Sequence, residues 1–188
     1  ENIDEIKNVN RSRVCGVKVF MGSSTGSLLV DEPEALDAIF RESPVIIVTH
    51  CEDNRTIERN LARAQKKYGT QVPISQHPII RDTEACYTSS SYAVGLARKY
   101  GTNLHVLHLT TEKELQLFDK GPIDGKKITA EVCVHHLWFC DEDYQRLGNY
   151  IKCNPSIKSS KDREALWSGL TDGRIDIIAT DHAPHTIE

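Results

Sequence analysis

Four apolar runs of this chain end on, or contain, side chains that can hold a metal ion or move a proton. GVKVFMGSSTG (16–26) carries Lys18, VIIVTHCED (45–53) reaches His50, LHVLHLTT (104–111) carries His105 and His108, and IDIIATDHAPH (175–185) runs into Asp181 and His182. Each has an ordinary explanation by itself. A lysine in a strand is commonly an edge or surface residue, a strand-end histidine a hydrogen-bonded core group, and an aspartate after a strand a turn former or cap. Their joint placement at successive strand ends shifts the balance. Two imidazoles, a carboxylate and a lysine converging there pack poorly but suit a borderline metal. An ammonium would repel that metal. If the neutral amine of Lys18 adds carbon dioxide, the resulting carbamate is an anionic two-oxygen ligand able to bridge two cations, and coordination would in turn stabilise the modification.

The elements that must position these groups follow from periodicity. Five β-rich runs, VKVFM (17–21), VIIVT (45–49), LHVLHL (104–109), KITAEV (127–132) and IDIIAT (175–180), are nearly continuously apolar, as strands of a parallel sheet covered on both faces are. In the first, a period of two sets Gly16, Lys18 and Phe20 against Val17, Val19 and Met21. Helical patterns separate the runs. DEPEALDAIFRES has Asp31 as a cap, Pro33 for the first turn and Leu36, Ile39 and Phe40 on one face; others cover 53–68, 82–100, 111–119 and 159–170, with QVPISQHPII read as a loop. Alternating strands and helices predict an α/β fold, in which sites assemble at the carboxyl ends of the strands. Five units are too few to close an eight-stranded barrel. The chain is therefore expected to be either an open sheet or a piece of a larger barrel.

Composition narrows the function classes. A net charge of −4 without a long basic run gives no reason to expect nucleic acid, and no apolar stretch approaches the length of a membrane span. The polar segment ENIDEIKNVNRSR is unlike a signal peptide, which predicts a cytoplasmic protein. The six cysteines form no C-x-x-C pair and sit mostly beside apolar runs, so they are expected as reduced structural thiols.

GVKVFMGSSTG, VTHCED, HPIIRDTEA, LHVLHLTT, EVCVHHL, IKCNPS and above all ATDHAPH resemble, in order along nearly the whole chain, stretches of the amidohydrolase superfamily and within it the dihydroorotases. The resemblance implies part of a (β/α)8 TIM-type barrel of the metal-dependent hydrolase kind, with residues 1–188 a partial catalytic domain spanning strands four to eight. It implies two zinc ions bridged by N6-carboxylysine at Lys18, with His50 and His108 on the second metal. Asp181 would ligate the first metal and act as general acid/base, and Asn154 and His185 would contact the substrate. Ser24 and Thr25 fall where some members place a mobile loop. His105, of opposite parity to His108, is expected to be structural, and His135 and His136 are expected either to support the site from behind its ligands or to serve packing.

The implied reaction is the reversible cyclisation of N-carbamoyl-L-aspartate to L-dihydroorotate plus water, with a small-molecule substrate as partner and a homodimer as the assembly. The family's H-x-H motif and the arginine after it are absent from this sequence, which predicts a fragment of a longer chain. CNPS also departs from the commoner N-P-P beside Asn154. The competing readings are an allantoinase or a hydantoinase/dihydropyrimidinase, a non-catalytic homologue, and a small open-sheet binding protein, whose exposed strand edges would invite aggregation.

Overall fold

The computed structural model describes residues 2–22 and 28–184. Five strands, β1 (Gly16–Phe20), β2 (Ile46–His50), β3 (Leu104–Val106), β4 (Ile128–Cys133) and β5 (Ile177–Ala179), run parallel in that order in one sheet. Each lies within a few residues of its expected run. Each strand pairs with the next along the chain, so every connection is a crossover, and the longer crossovers are helical.

Four long helices back the sheet: α1 (Pro33–Glu42), α2 (Asn54–Tyr68), α3 (Thr83–Tyr100) and α4 (Ser160–Thr171). Three start on side-chain caps. Asp53 accepts from the Thr56 amide, Asp82 from Ala85 and Ser159 from Asp162, each satisfying a donor that the first turn leaves unpaired. Helix α1 departs from expectation. Glu32 rather than Asp31 stands at its cap and makes no side-chain cap bond; Pro33, which lacks an N–H and is preset for a helical φ, begins it.

Two other segments differ from the sequence reading. The stretch 111–119 forms only a 3-10 turn, Lys113–Leu117, because the Glu114 carboxylate is drawn into the interior. There it accepts from Ser90 Oγ at 2.6 Å and Thr111 Oγ1 at 2.8 Å. The presumed loop QVPISQHPII contains a 3-10 turn, Ile74–Gln76, and a helical turn, His77–Ile80.

The main core lies on one side of the sheet. Val19, Met21, Ile47, Leu104, Val106, Ala130 and Val132 pack there against Leu36, Phe40, Val94, Ala97, Leu115 and Leu166 from the helices and turns. Strand register then dictates the opposite face. Lys18 pairs with Val48, Val48 with His105, and His105 with Thr129, while Phe20 pairs with His50. Residues level with one another in a parallel ladder share a face, so the second face carries Lys18, His50, His105, Thr129, Glu131 and Cys133. One face is a hydrocarbon core and the other a row of ligating and ionisable groups. At the far edge, β5 leaves Ile177 and Ile178 exposed.

Candidate active site

The tightest cluster forms where β2 and β3 end. His50 Nδ1 lies 3.0 Å from His108 Nε2, and His50 Nε2 lies 2.9 Å from Glu52 Oε2. Glu52 in turn accepts from Arg81 Nη1 at 2.5 Å. A carboxylate can only accept, so His50 Nε2 carries the proton and Nδ1 presents its lone pair toward His108. Burial pushes the Glu52 carboxyl up, but the His50 hydrogen bond and the charges of Arg81, His50 and Lys158 outweigh it and hold the group at about 2. It is an anion throughout the physiological range.

His108 reaches this cluster through a break in strand geometry. Leu104 and Val106 point into the core, and so does Leu109. The even-to-odd switch occurs at His108, whose φ is +38°, the left-handed region that side chains other than glycine seldom adopt. His105 and His108 consequently project to the same side of the sheet. This corrects the expected opposite parity, which assumed that strand periodicity continues through residue 108. His105 is bonded at both ring nitrogens, with Thr129 Oγ1 at 2.9 Å and Glu131 Oε2 at 3.0 Å.

His108 is different: its Nδ1 is buried and has no hydrogen-bond partner among the described residues. Burial, then the neighbouring His50, pushes its pKa down to about 3, so the ring is neutral at any physiological pH. Two imidazoles facing each other across 3.0 Å, one of them aimed by a carboxylate, fit a divalent metal. Two tetrahedral nitrogen ligands at ~2.0–2.1 Å from zinc stand about 3.3 Å apart, and a ligating histidine normally donates its other nitrogen to a carboxylate or carbonyl.

Lys18 is on the same face, one strand from His50 and exposed, with Nζ 4.7 Å from the Phe20 ring centroid. The Phe20 ring centroid stands 6.3 Å from that of His50, and the Lys18 charge is felt at His108. Asp181 follows β5 with φ +45° and is exposed. Its charge is felt by Cys133, His135 and Cys153 at the neighbouring strand end. The structure thus gathers His50 and His108 with Lys18 near them, and sets Asp181 at the end of β5. Asn154 is exposed and lines a cleft of about 310 Å³ with His77, Arg81 and Lys152. His185, Ser24 and Thr25 lie outside the described residues.

Sequence pattern assigns no role to Glu52 or Arg81, although both fall in stretches that carry the resemblance, VTHCED and HPIIRDTEA. The available signal was a carboxylate two residues after a candidate ligand. Four cysteines are buried, Cys153 is half-buried and Cys15 exposed; all six are free thiols.

No family model matches the chain. It is similar to the dihydroorotase of Fusobacterium nucleatum, 41% identical over 142 residues, which cover 76% of this chain and 32% of that protein. It is 34% identical to the dihydroorotase of Bacillus subtilis over 98% of this chain and 42% of the relative. An allantoinase of Deinococcus radiodurans is 31% identical over 97% of this chain and 41% of the relative. Among solved structures, the L-hydantoinase (dihydropyrimidinase) from Arthrobacter aurescens superposes with a TM-score of 0.85 at 23% identity, covering 96% of this chain and 41% of that one. The chain spans roughly a third to two fifths of the length of these relatives. The consecutive parallel strands match part of the TIM-type barrel of that hydantoinase, and the sequence is similar to enzymes named dihydroorotase and allantoinase over about a third to two fifths of their length.

Proposed function

We propose that residues 1–188 are the part of a catalytic barrel domain that serves a zinc-dependent dihydroorotase, interconverting L-dihydroorotate and N-carbamoyl-L-aspartate. The observation that carries this reading is the His50–His108 pair, aimed by Glu52 at the carboxyl end of the sheet beside Lys18. His50 and His108 would hold one metal, Asp181 would be a ligand of a second, and a carboxylated Lys18 would serve both. When bound, such a pair of ions supplies Lewis-acid polarisation of the amide carbonyl and lowers the pKa of water from about 15.7 toward ~7.

This chain's own residues do the rest. Asp181 takes the proton of the attacking water in ring opening and returns it to the departing ring nitrogen; ring closure reverses the transfer. Asn154 and His185 orient a substrate that carries a free carboxylate. Neutral cyclic amides lack that carboxylate, and the binding of the anion favours dihydroorotate over them. The partner is this small molecule. No helix among the described residues is long and apolar enough to cross a membrane. A cytoplasmic location and a homodimeric assembly complete the proposal.

The allantoinase reading is kept because a curated relative of that name covers nearly the whole chain. Turnover of dihydroorotate, allantoin and dihydrouracil by the whole protein separates the readings. A preference for dihydroorotate is expected. A preference for either of the others replaces this conclusion with the corresponding sister activity, and turnover of none favours a non-catalytic homologue.

A further inference from the structure

At the end of β4, outside the donor set used above, Cys133, His135 and His136 each place one ligating atom within 4.8 Å of the others. Cys133 lies on the same strand face as Glu131 and Thr129, the face that carries His105 and Lys18. The helical turn that begins at Val134 then folds the two histidines back beside it, their ring centroids 4.2 Å apart.

We propose that these three side chains form a second metal site, for one zinc-class divalent ion, that clips the end of β4 to the turn following it. The donor set is one thiolate and two imidazoles, which suits zinc better than magnesium or calcium. A tetrahedral ion holds one sulfur and two nitrogens about 3.3–3.6 Å apart, so from separations within 4.8 Å binding requires a closure of at most about 1.5 Å.

A second observation, independent of the clustering, points the same way. His136 is 4% exposed, and its Nε2 lies 3.1 Å from the Pro155 carbonyl. A carbonyl only accepts, so the proton sits on Nε2 and Nδ1 is left with a lone pair. That Nδ1 is buried and has no partner among the described residues. A buried acceptor without a donor is costly, whereas a ring fixed through one nitrogen by a carbonyl is the usual arrangement of a metal-bound histidine.

Access also exists. His135 is half-buried and borders a cleft of about 240 Å³ shared with Tyr150, Lys152 and Cys153. The Cys133 thiol is protonated without metal, since burial first and then the nearby carboxylates push it up to about 12. The ion displaces that proton, and one proton is released to solvent as the sulfur–metal bond forms. Cys153, whose Sγ is 3.7 Å from His136 Nε2, lies on the other side of that ring and is not a ligand.

The site is read with Co2+ in the whole protein. The ligands proposed for the catalytic pair contain no sulfur, so thiolate-to-cobalt charge-transfer absorption reports on this site alone. The band is expected with one equivalent of Co2+, retained in Lys18→Ala and lost in Cys133→Ser. His135→Ala changes a half-buried position and keeps the test decisive if Cys133→Ser does not fold; it should weaken binding of that equivalent at least tenfold. Bound Co2+ without the band overturns the proposal. So does a band that survives Cys133→Ser, one that disappears in Cys153→Ser but not in Cys133→Ser, or unchanged affinity in His135→Ala. Failure of dihydroorotate turnover leaves the expected band in place and bears only on the proposed function.

Discussion

His50 is held at both ends: its Nε2 lies 2.9 Å from Glu52 Oε2 and its Nδ1 lies 3.0 Å from His108 Nε2. The carboxylate fixes the tautomer, and the tautomer decides which nitrogen faces the proposed metal. Glu52→Gln keeps the volume but replaces a charged acceptor with an amide that can present either end to the ring. Outer partners of this kind typically set metal affinity by 10–100-fold. The whole protein carrying Glu52→Gln should therefore release one zinc to a competing chelator at a concentration lower by about that factor. An unchanged zinc affinity would remove Glu52 from the site.

Lys18 stands on the open face without an ion-pair partner among the described residues, its Nζ resting over Phe20. If its carbamate bridges the metals, Lys18→Ala removes an anionic ligand from both ions at once. Metal analysis of the purified variant should then fall from two catalytic zinc ions to at most one. Retention of both would show that the lysine is not the bridge.

The sequence made the strands and the polar sheet face legible because a period of two and an apolar core face leave little choice of which residues point where. Lys18, Val48, His105 and Thr129 could be placed in one row by that rule. It failed at His108, where one left-handed residue shifts the alternation by a single step. The helix expected at 111–119 failed for a different reason: Glu114 reads as a solvent-facing charge in a periodic pattern, yet it is buried against Ser90 and Thr111. The Glu52–Arg81 pair joins residues 29 positions apart, and no local pattern carries that information.

The glycine after β1 limits how closely that strand can follow β2. A Cβ at Gly22 would stand 1.9 Å from the Glu52 carbonyl oxygen, far inside van der Waals contact and against backbone rather than a flexible side chain. Gly22→Ala must push the two strand ends apart. A cost of about 1–3 kcal/mol, typical of overpacking, is expected in denaturant unfolding. Because Glu52 moves with its carbonyl, zinc affinity should fall as well. Full stability together with full affinity would contradict this account.

The buried His77 makes a pH-dependent contribution to stability. Its Nε2 donates to the Cys153 carbonyl at 2.8 Å, and burial, reinforced by Arg81 and Lys152, lowers its pKa below the ordinary 6.5 despite the opposing hydrogen bond and Glu52 charge. Below pH 6.5 the unfolded chain takes up a proton at this residue before the folded chain does. The contribution is therefore fully present above pH 6.5 and declines as the pH falls through that value toward the lowered folded pKa, by at most about 1.4 kcal/mol per pH unit. His77→Gln keeps an N–H donor and removes the titration. Its Tm should fall less between pH 7.5 and 5 than that of the parent, and parallel Tm curves would refute the assignment.

Asp181 is placed by a left-handed turn at the end of β5, close enough to Cys133, His135 and Cys153 for its charge to disfavour their anionic forms or favour protonation of the imidazole. An exposed aspartate at φ +45° has no packing reason to be there, since Asn would hold that backbone equally well. The comparison with Asn is therefore informative. Asp181→Asn preserves the turn and the volume but cannot exchange a proton with the substrate. Thermal unfolding should stay within a few degrees of the parent, while dihydroorotate turnover falls by at least the ~10²–10⁴-fold that a positioned acid/base contributes. Loss of the carboxylate as a ligand adds to that drop, and zinc analysis of the same sample separates the two effects. A variant that keeps both zinc ions and loses turnover has lost the proton carrier. One that keeps near-normal turnover would show that the proton moves through another group.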